Sequence, residues 1–123
     1  MMLVDTSVWI DHLRQGDAKL MVALEAGEVW MHSFVVGELA CGHLCSRAEV
    51  LGLLQALPPM PVSTDKEVLF FIEQHQLMGR GIGYVDVHLL ASARLGGAHL
   101  WTRDKRLHAL ATELGLAHVE TQH

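Results

Sequence analysis

The chain is short of the devices that small proteins often lean on. It has two cysteines, Cys41 and Cys45, four apart in a helical-looking stretch. Such a pair shares a helix face but rarely has the geometry of a good disulfide. The sequence therefore predicts a reduced protein with two buried thiols. Even with His43 the pair falls short of the four-ligand spacing of a zinc module. The three prolines all lie between residues 58 and 61, which marks one internal loop and no domain boundary. No apolar run approaches the roughly 18 to 20 residues of a membrane helix. The opening Met1-Met2-Leu3-Val4-Asp5 lacks a basic region and reaches an acid at once, unlike a signal peptide. These absences predict a cytoplasmic protein with no membrane partner. Basic residues are scarce too, nine Lys+Arg against fourteen Asp+Glu. That argues against a passive nucleic-acid coat, but not against an enzyme that meets phosphates through a bound metal.

What is present is enough for one core. The 123 residues are 50% hydrophobic and 19% charged, which predicts a single domain over residues 1–123. Met2-Leu3-Val4 reads as a buried strand running into a cap at Asp5-Thr6-Ser7. A short helix around Val8 to Leu13 closes near Gly16, and Asp17 caps a second that ends at Gly27. Val29 to Ser33 reads as a strand and Phe34 to Leu44 as a helix. Ser46-Arg47-Ala48-Glu49 fits a capping box that starts a helix through Leu57. Met60-Pro61-Val62 is extended, and Ser63-Thr64-Asp65 caps a helix to about Met78. Tyr84 to Leu95 is helical, with Ala91, Ser92 and Ala93 small enough for close packing. His99 to Thr102 is a strand, Asp104 to Leu114 a helix, and Ala117-His118-Val119 a last short strand. Strands alternating with helices predict an α/β fold with a mainly parallel sheet of four to five short strands and helices on both sides.

In open α/β sheets, sites form outside the carboxyl ends of the strands. Asp5 and Asp104 follow strands directly, and Asp86 opens a helix. Glu38 lies in the helix after the second strand among Val35, Val36, Leu39 and Ala40, where burial would demand a partner. Each acid taken alone also fits an ordinary cap or a helix-dipole contact. Several carboxylates converging on one face would repel each other, and a divalent cation with hard oxygen ligands resolves the conflict. Oxygen-only ligands favour Mg²⁺ or Mn²⁺ over zinc. No P-loop, G-x-S-x-G elbow or H-E-x-x-H stretch competes with this reading.

Four stretches also resemble one family. Leu3-Val4-Asp5-Thr6-Ser7-Val8-Trp9-Ile10-Asp11 resembles the opening motif of PIN-domain nucleases, and Val36-Gly37-Glu38-Leu39 the second acidic motif. Asp86 within Tyr84-Val85-Asp86-Val87-His88-Leu89-Leu90-Ala91 is similar to the third, and Leu100-Trp101-Thr102-Arg103-Asp104-Lys105-Arg106-Leu107 to the fourth. Four motifs in order, in a chain of this size, most resemble the VapC-type toxins of toxin-antitoxin pairs. The resemblance implies a three-layer α/β/α fold and a metal-dependent ribonuclease acting on RNA. It makes Asp5, Glu38, Asp86 and Asp104 the catalytic, Mg²⁺- or Mn²⁺-binding carboxylates, with Thr6, Ser7 and Thr102 as supporting hydroxyls. It also implies products with a 5′-phosphate and a 3′-hydroxyl, a homodimer, and a VapB-like antitoxin partner. An apolar face including Trp9 and Leu13 is a candidate anchor for that partner. Arg80, Arg103, Lys105 and Arg106 are placed to meet the RNA backbone. The competing readings are an inactive binding module with this fold, which would predict a missing acid, and a phosphohydrolase. The latter would want an Asp-x-Asp nucleophile that Asp5-Thr6-Ser7 lacks. Setting the four acids aside leaves the remaining surface nearly balanced in charge.

Overall fold

A computed structural model describes residues 1–120. Its order is β1 (Met2–Val4), α1 (Thr6–Gln15), α2 (Ala18–Glu25), β2 (Val29–Trp30), α3 (Ser33–Ala40), α4 (Arg47–Gln55), α5 (Asp65–His75), α6 (Tyr84–Gly96), β3 (His99–Trp101) and α7 (Lys105–Glu113). The strands form one parallel sheet in the order β2-β1-β3. Leu3 lies opposite Trp30 on one side and Leu100 on the other. β1 is therefore central, and all three of its residues are buried, as a strand covered on both faces requires. Helix α6 packs on β3 and on α5, and α3 packs on α1 and α4. The result is an α/β fold with a parallel sheet flanked by helices.

Three strands appear among the described residues where four to five were expected. The missing ones survive as single parallel bridges, Met31 to Pro59 and Leu100 to Ala117. Both flank the sheet edges. Prolines 58, 59 and 61 deny the first segment the backbone donors that a ladder needs.

Local signals set most helix boundaries. Asp5, Asp17 and Asp104 cap α1, α2 and α7 through their carboxylates. Gly16 ends α1 with φ 77°, and Gly97 ends α6 with φ 67°, in the left-handed region open to glycine. Three expectations are corrected. The capping box proposed at Ser46 does not form: Ser46 has φ 51° and no side-chain cap bond. The capping box of this chain is at α5, where Thr64 and Glu67 exchange side-chain and backbone bonds. Helix α3 stops at Ala40, short of Leu44, because the Arg47 guanidinium takes the carbonyls of Ala40 and Gly42. Cys41 and Cys45 consequently lie in an exposed turn and are not the buried thiols expected.

Candidate metal and nuclease site

Because the sheet is parallel, β1 and β3 end at one edge, and their next residues carry the site. Asp5 follows Val4 and continues the ladder, its N–H donating to the Trp101 carbonyl at 2.9 Å. Asp104 follows the turn Thr102-Arg103, Glu38 projects from α3, and Asp86 sits in the first turn of α6.

Asp5 is 6% exposed, and its surroundings are polar. The hydroxyls of Ser7 and Thr102 each donate to its Oδ2 at 2.7 Å. With both protons committed there, the 3.3 Å approach of Ser7 Oγ to Thr102 Oγ1 is a contact and not a third bond. The Asp104 N–H donates to Thr102 Oγ1 at 3.1 Å, and the Arg103 N–H to Ser7 Oγ at 3.0 Å. Thr6 Oγ1 donates to Glu38 Oε1 at 2.8 Å. Asp104 Oδ1 accepts from the Leu107 N–H at 3.0 Å. Asp5, Glu38 and Asp104 thus each have one carboxylate oxygen pinned, and among the described residues the other oxygen takes no hydrogen bond.

The fourth acid registers the other three. Burial pushes the half-buried Asp86 carboxyl up to about 6, and the charges of Asp5, Asp104 and Glu38 add to the rise. The Gly83 backbone works against the shift without cancelling it. Asp86 is therefore within electrostatic reach of the other three carboxylates. Among the described residues, however, no three acidic, histidine or cysteine side chains converge tightly enough to form a ready-made ion cage. The two observations concern different distances: repulsion reaches farther than ligation. A donor set of oxygens only, with surplus negative charge and free lone pairs, matches a hard divalent cation in chemistry.

Other expected residues sit differently from their sequence reading. Glu38 is exposed at the rim and not buried among its apolar neighbours. Arg103 spends its guanidinium on Asp11 at 2.7 Å, Asp17 at 2.6 Å and Glu120 at 2.7 Å. Arg80 pairs with Glu113 at 2.8 Å, and Arg106 leans on the Gly81 carbonyl at 3.4 Å. Lys105 is exposed. Trp9 is buried at 3% exposure, so it belongs to the core and not to a partner surface. Sequence reading missed the clamp around Arg103. No spacing along the chain links Asp11, Asp17 and Glu120, and only the fold brings them together. It also left His32 and His88 unassigned; both are buried, and burial together with His88 lowers the His32 ring to about 4.

The family model described as PIN domain matches residues 2–113. The chain belongs to the PIN-domain family. It is 51% identical over 121 residues to Ribonuclease VapC32 of Mycobacterium tuberculosis, covering 98% of both chains. A toxin-antitoxin complex from Klebsiella pneumoniae shares the fold, with a TM-score of 0.66 at 21% identity over 89% of this chain and 91% of that one. FitAcB from Neisseria gonorrhoeae does so with a TM-score of 0.61 at 22% identity, over 91% and 94%. The three-strand parallel sheet and the family match thus agree with the fold and family that the four motifs resembled.

Proposed function

We propose that this protein is a metal-dependent endoribonuclease, the toxin of a toxin-antitoxin pair, which hydrolyses RNA phosphodiester bonds at the carboxylate pocket. The ribonuclease reading rests on membership of the PIN family and on 51% identity to a named ribonuclease across nearly the whole chain. Metal dependence rests on one observation above all: Asp5, Glu38 and Asp104 each keep one carboxylate oxygen without a hydrogen bond among the described residues, beside an Asp86 carboxyl that burial first, and these neighbours second, raise to about 6. Such a pocket favours an added positive charge.

Asp5, Glu38, Asp86 and Asp104 would hold Mg²⁺ or Mn²⁺. When bound, the ion supplies charge neutralisation, a more acidic water and an electrophile for the leaving oxygen. The chain's own part is positioning. Ser7 and Thr102 fix the Asp5 carboxylate by Oδ2 and leave Oδ1 without a hydrogen bond among the described residues. Thr6 does the same for Glu38, and the first turn of α7 for Asp104. Lys105 and Arg106 beside Asp104 are the cations that reach phosphate without first breaking an ion pair among the described residues. Arg80 must first leave Glu113, and Arg103 is fully engaged.

The antitoxin reading has its own surface. Ile10, Leu13, Leu39 and Val50 line an apolar groove of about 410 Å³ that ends at Glu38 and Arg14. A VapB-like segment seated there would cover the pocket's edge. The exposed side chains Leu69 and Phe70 of α5 and Leu95 of α6 offer a second apolar face for a homodimer. No helix of the described residues is long and apolar enough to cross a membrane. The test is incubation of purified protein with a mixed RNA pool and Mn²⁺, followed by sequencing of the ends. Internal cuts with 5′-phosphate ends are expected. Absence of any cleavage would favour the inactive binding module.

A further inference from the structure

Beyond residue 113, where the family match ends, the chain turns back along β3. Leu100 donates its N–H to the Leu116 carbonyl at 2.7 Å, and His118 donates to the Leu100 carbonyl at 2.9 Å. This pairing brings Glu120 to the Trp101 and Arg103 side chains. Its Oε1 accepts from Trp101 Nε1 at 2.6 Å and from Arg103 Nε and Nη2 at 2.9 and 2.7 Å. Arg103 also donates to Asp11 on α1 and to Asp17, the cap of α2. The guanidinium is planar and forked, so three carboxylates on three different segments leave its side chain no freedom to rotate. Burial pushes the Asp17 carboxyl up, but the Leu20 amide and Arg103 outweigh it and hold the group below its usual range. Asp17 thus stays charged for the clamp.

The same residue faces the pocket through its backbone. The Arg103 N–H donates to Ser7 Oγ, which passes its proton toward Asp5, and the two neighbours of Arg103 are Thr102 and Asp104. Side chain and main chain of Arg103 thus each hold a different set of partners around one turn.

We propose that Arg103 is a positioning residue, and that Glu120 completes its clamp, so that the carboxyl-terminal segment sets the geometry of the carboxylate pocket. The proposal rests on the metal-site reading above. Its logic is mechanical. With the clamp closed, the 102–104 turn is held at the distance where Ser7 and Thr102 both reach Asp5 Oδ2. With it open, those two bonds lengthen and Asp5 loses its fixed orientation. Three acids share one arginine, with Lys19 3.8 Å from Glu120.

The experiment is Mn²⁺ titration of the full chain by calorimetry, well below the melting temperature, for wild type, Glu120→Ala and Arg103→Lys. Melting of the metal-free proteins and the metal dependence of RNA cleavage are measured alongside. The expected result for Glu120→Ala is Mn²⁺ binding weaker by about tenfold, the scale of one charge-assisted hydrogen bond. Cleavage should need correspondingly more Mn²⁺ for half-maximal rate, with the rate at saturating Mn²⁺ close to wild type. Arg103→Lys keeps the charge but loses the fork, and should weaken Mn²⁺ binding at least as much. Wild-type Mn²⁺ affinity in both variants, whatever their melting temperatures, would reduce the clamp to a structural role and overturn the proposal. A wild-type chain that neither binds Mn²⁺ nor cleaves RNA would overturn the metal-site reading itself, a result distinct from any seen only in the variants.

Discussion

At the scale of single residues, the account turns on which oxygen of each carboxylate is already spoken for. Asp5→Asn replaces one anionic oxygen by an amide and should cut RNA cleavage by roughly a hundredfold or more, since charge at the ion is what the pocket supplies. Asp104→Asn should do the same while α7 keeps its cap, because asparagine caps a helix about as well as aspartate. Circular dichroism and a cleavage assay on the same preparations check both. Asp86 gives a pH prediction. In the metal-free protein its carboxyl is raised from 3.8 to about 6. Between those values the folded chain holds a proton that the unfolded chain has released, so stability contributed by this group is lost as pH rises through that window. Asp86→Asn removes the loss. The stability difference between variant and wild type should therefore grow from pH 4 to pH 7 in EDTA, as read by urea unfolding, and a flat difference would contradict it. The four acids were legible because three of them open helices after loops or strands and all lie in recognisable motifs. The fate of Arg103 was not, because its partners come from α1, the cap of α2 and the segment after α7. The exposure of Cys41 and Cys45 escaped for a related reason: Arg47 ends α3 early by a side-chain bond that no periodicity announces.

At the scale of elements, short-range chemistry and long-range pairing parted company. Helix starts at Asp5, Asp17, Thr64 and Asp104 could be read from capping residues alone. Ser46 carries the same pattern, yet its left-handed backbone turns the hydroxyl away from the helix it should cap. Thr64→Ala should cost about 1 kcal/mol, measured by urea unfolding, whereas Ser46→Ala should cost little. The sheet was read correctly as parallel, but its width was not. Strands of two and three residues depend on partners far away in sequence, and outer segments with a single bridge look the same as real strands from their apolar content. β1 carries the sheet because it pairs on both sides. Leu3→Ala at its centre, where the side chain is fully buried, should destabilise by about 2–5 kcal/mol on the same measurement.

At the scale of the whole molecule, the acid surplus of the sequence has a location. Four of its acids lie around the carboxyl edge of the sheet, and three of them, Asp5, Glu38 and Asp104, have one oxygen held by the fold and one left free. Three more surround the Arg103 guanidinium, one residue before Asp104. The groove lined by Ile10, Leu13 and Leu39 includes Glu38 in its wall, so a partner segment seated there would lie against one of the four acids. Leu13→Glu should weaken antitoxin binding by at least about tenfold, the cost of forcing a charge against an apolar anchor, while leaving RNA cleavage by the free protein intact. The most direct test of the central claim is cleavage of one RNA substrate by the wild-type chain in EDTA, followed by addition of excess Mn²⁺. The account predicts no cleavage in EDTA, recovery with Mn²⁺, and no recovery for Asp5→Asn. Undiminished cleavage in EDTA, or full recovery in Asp5→Asn, would contradict it.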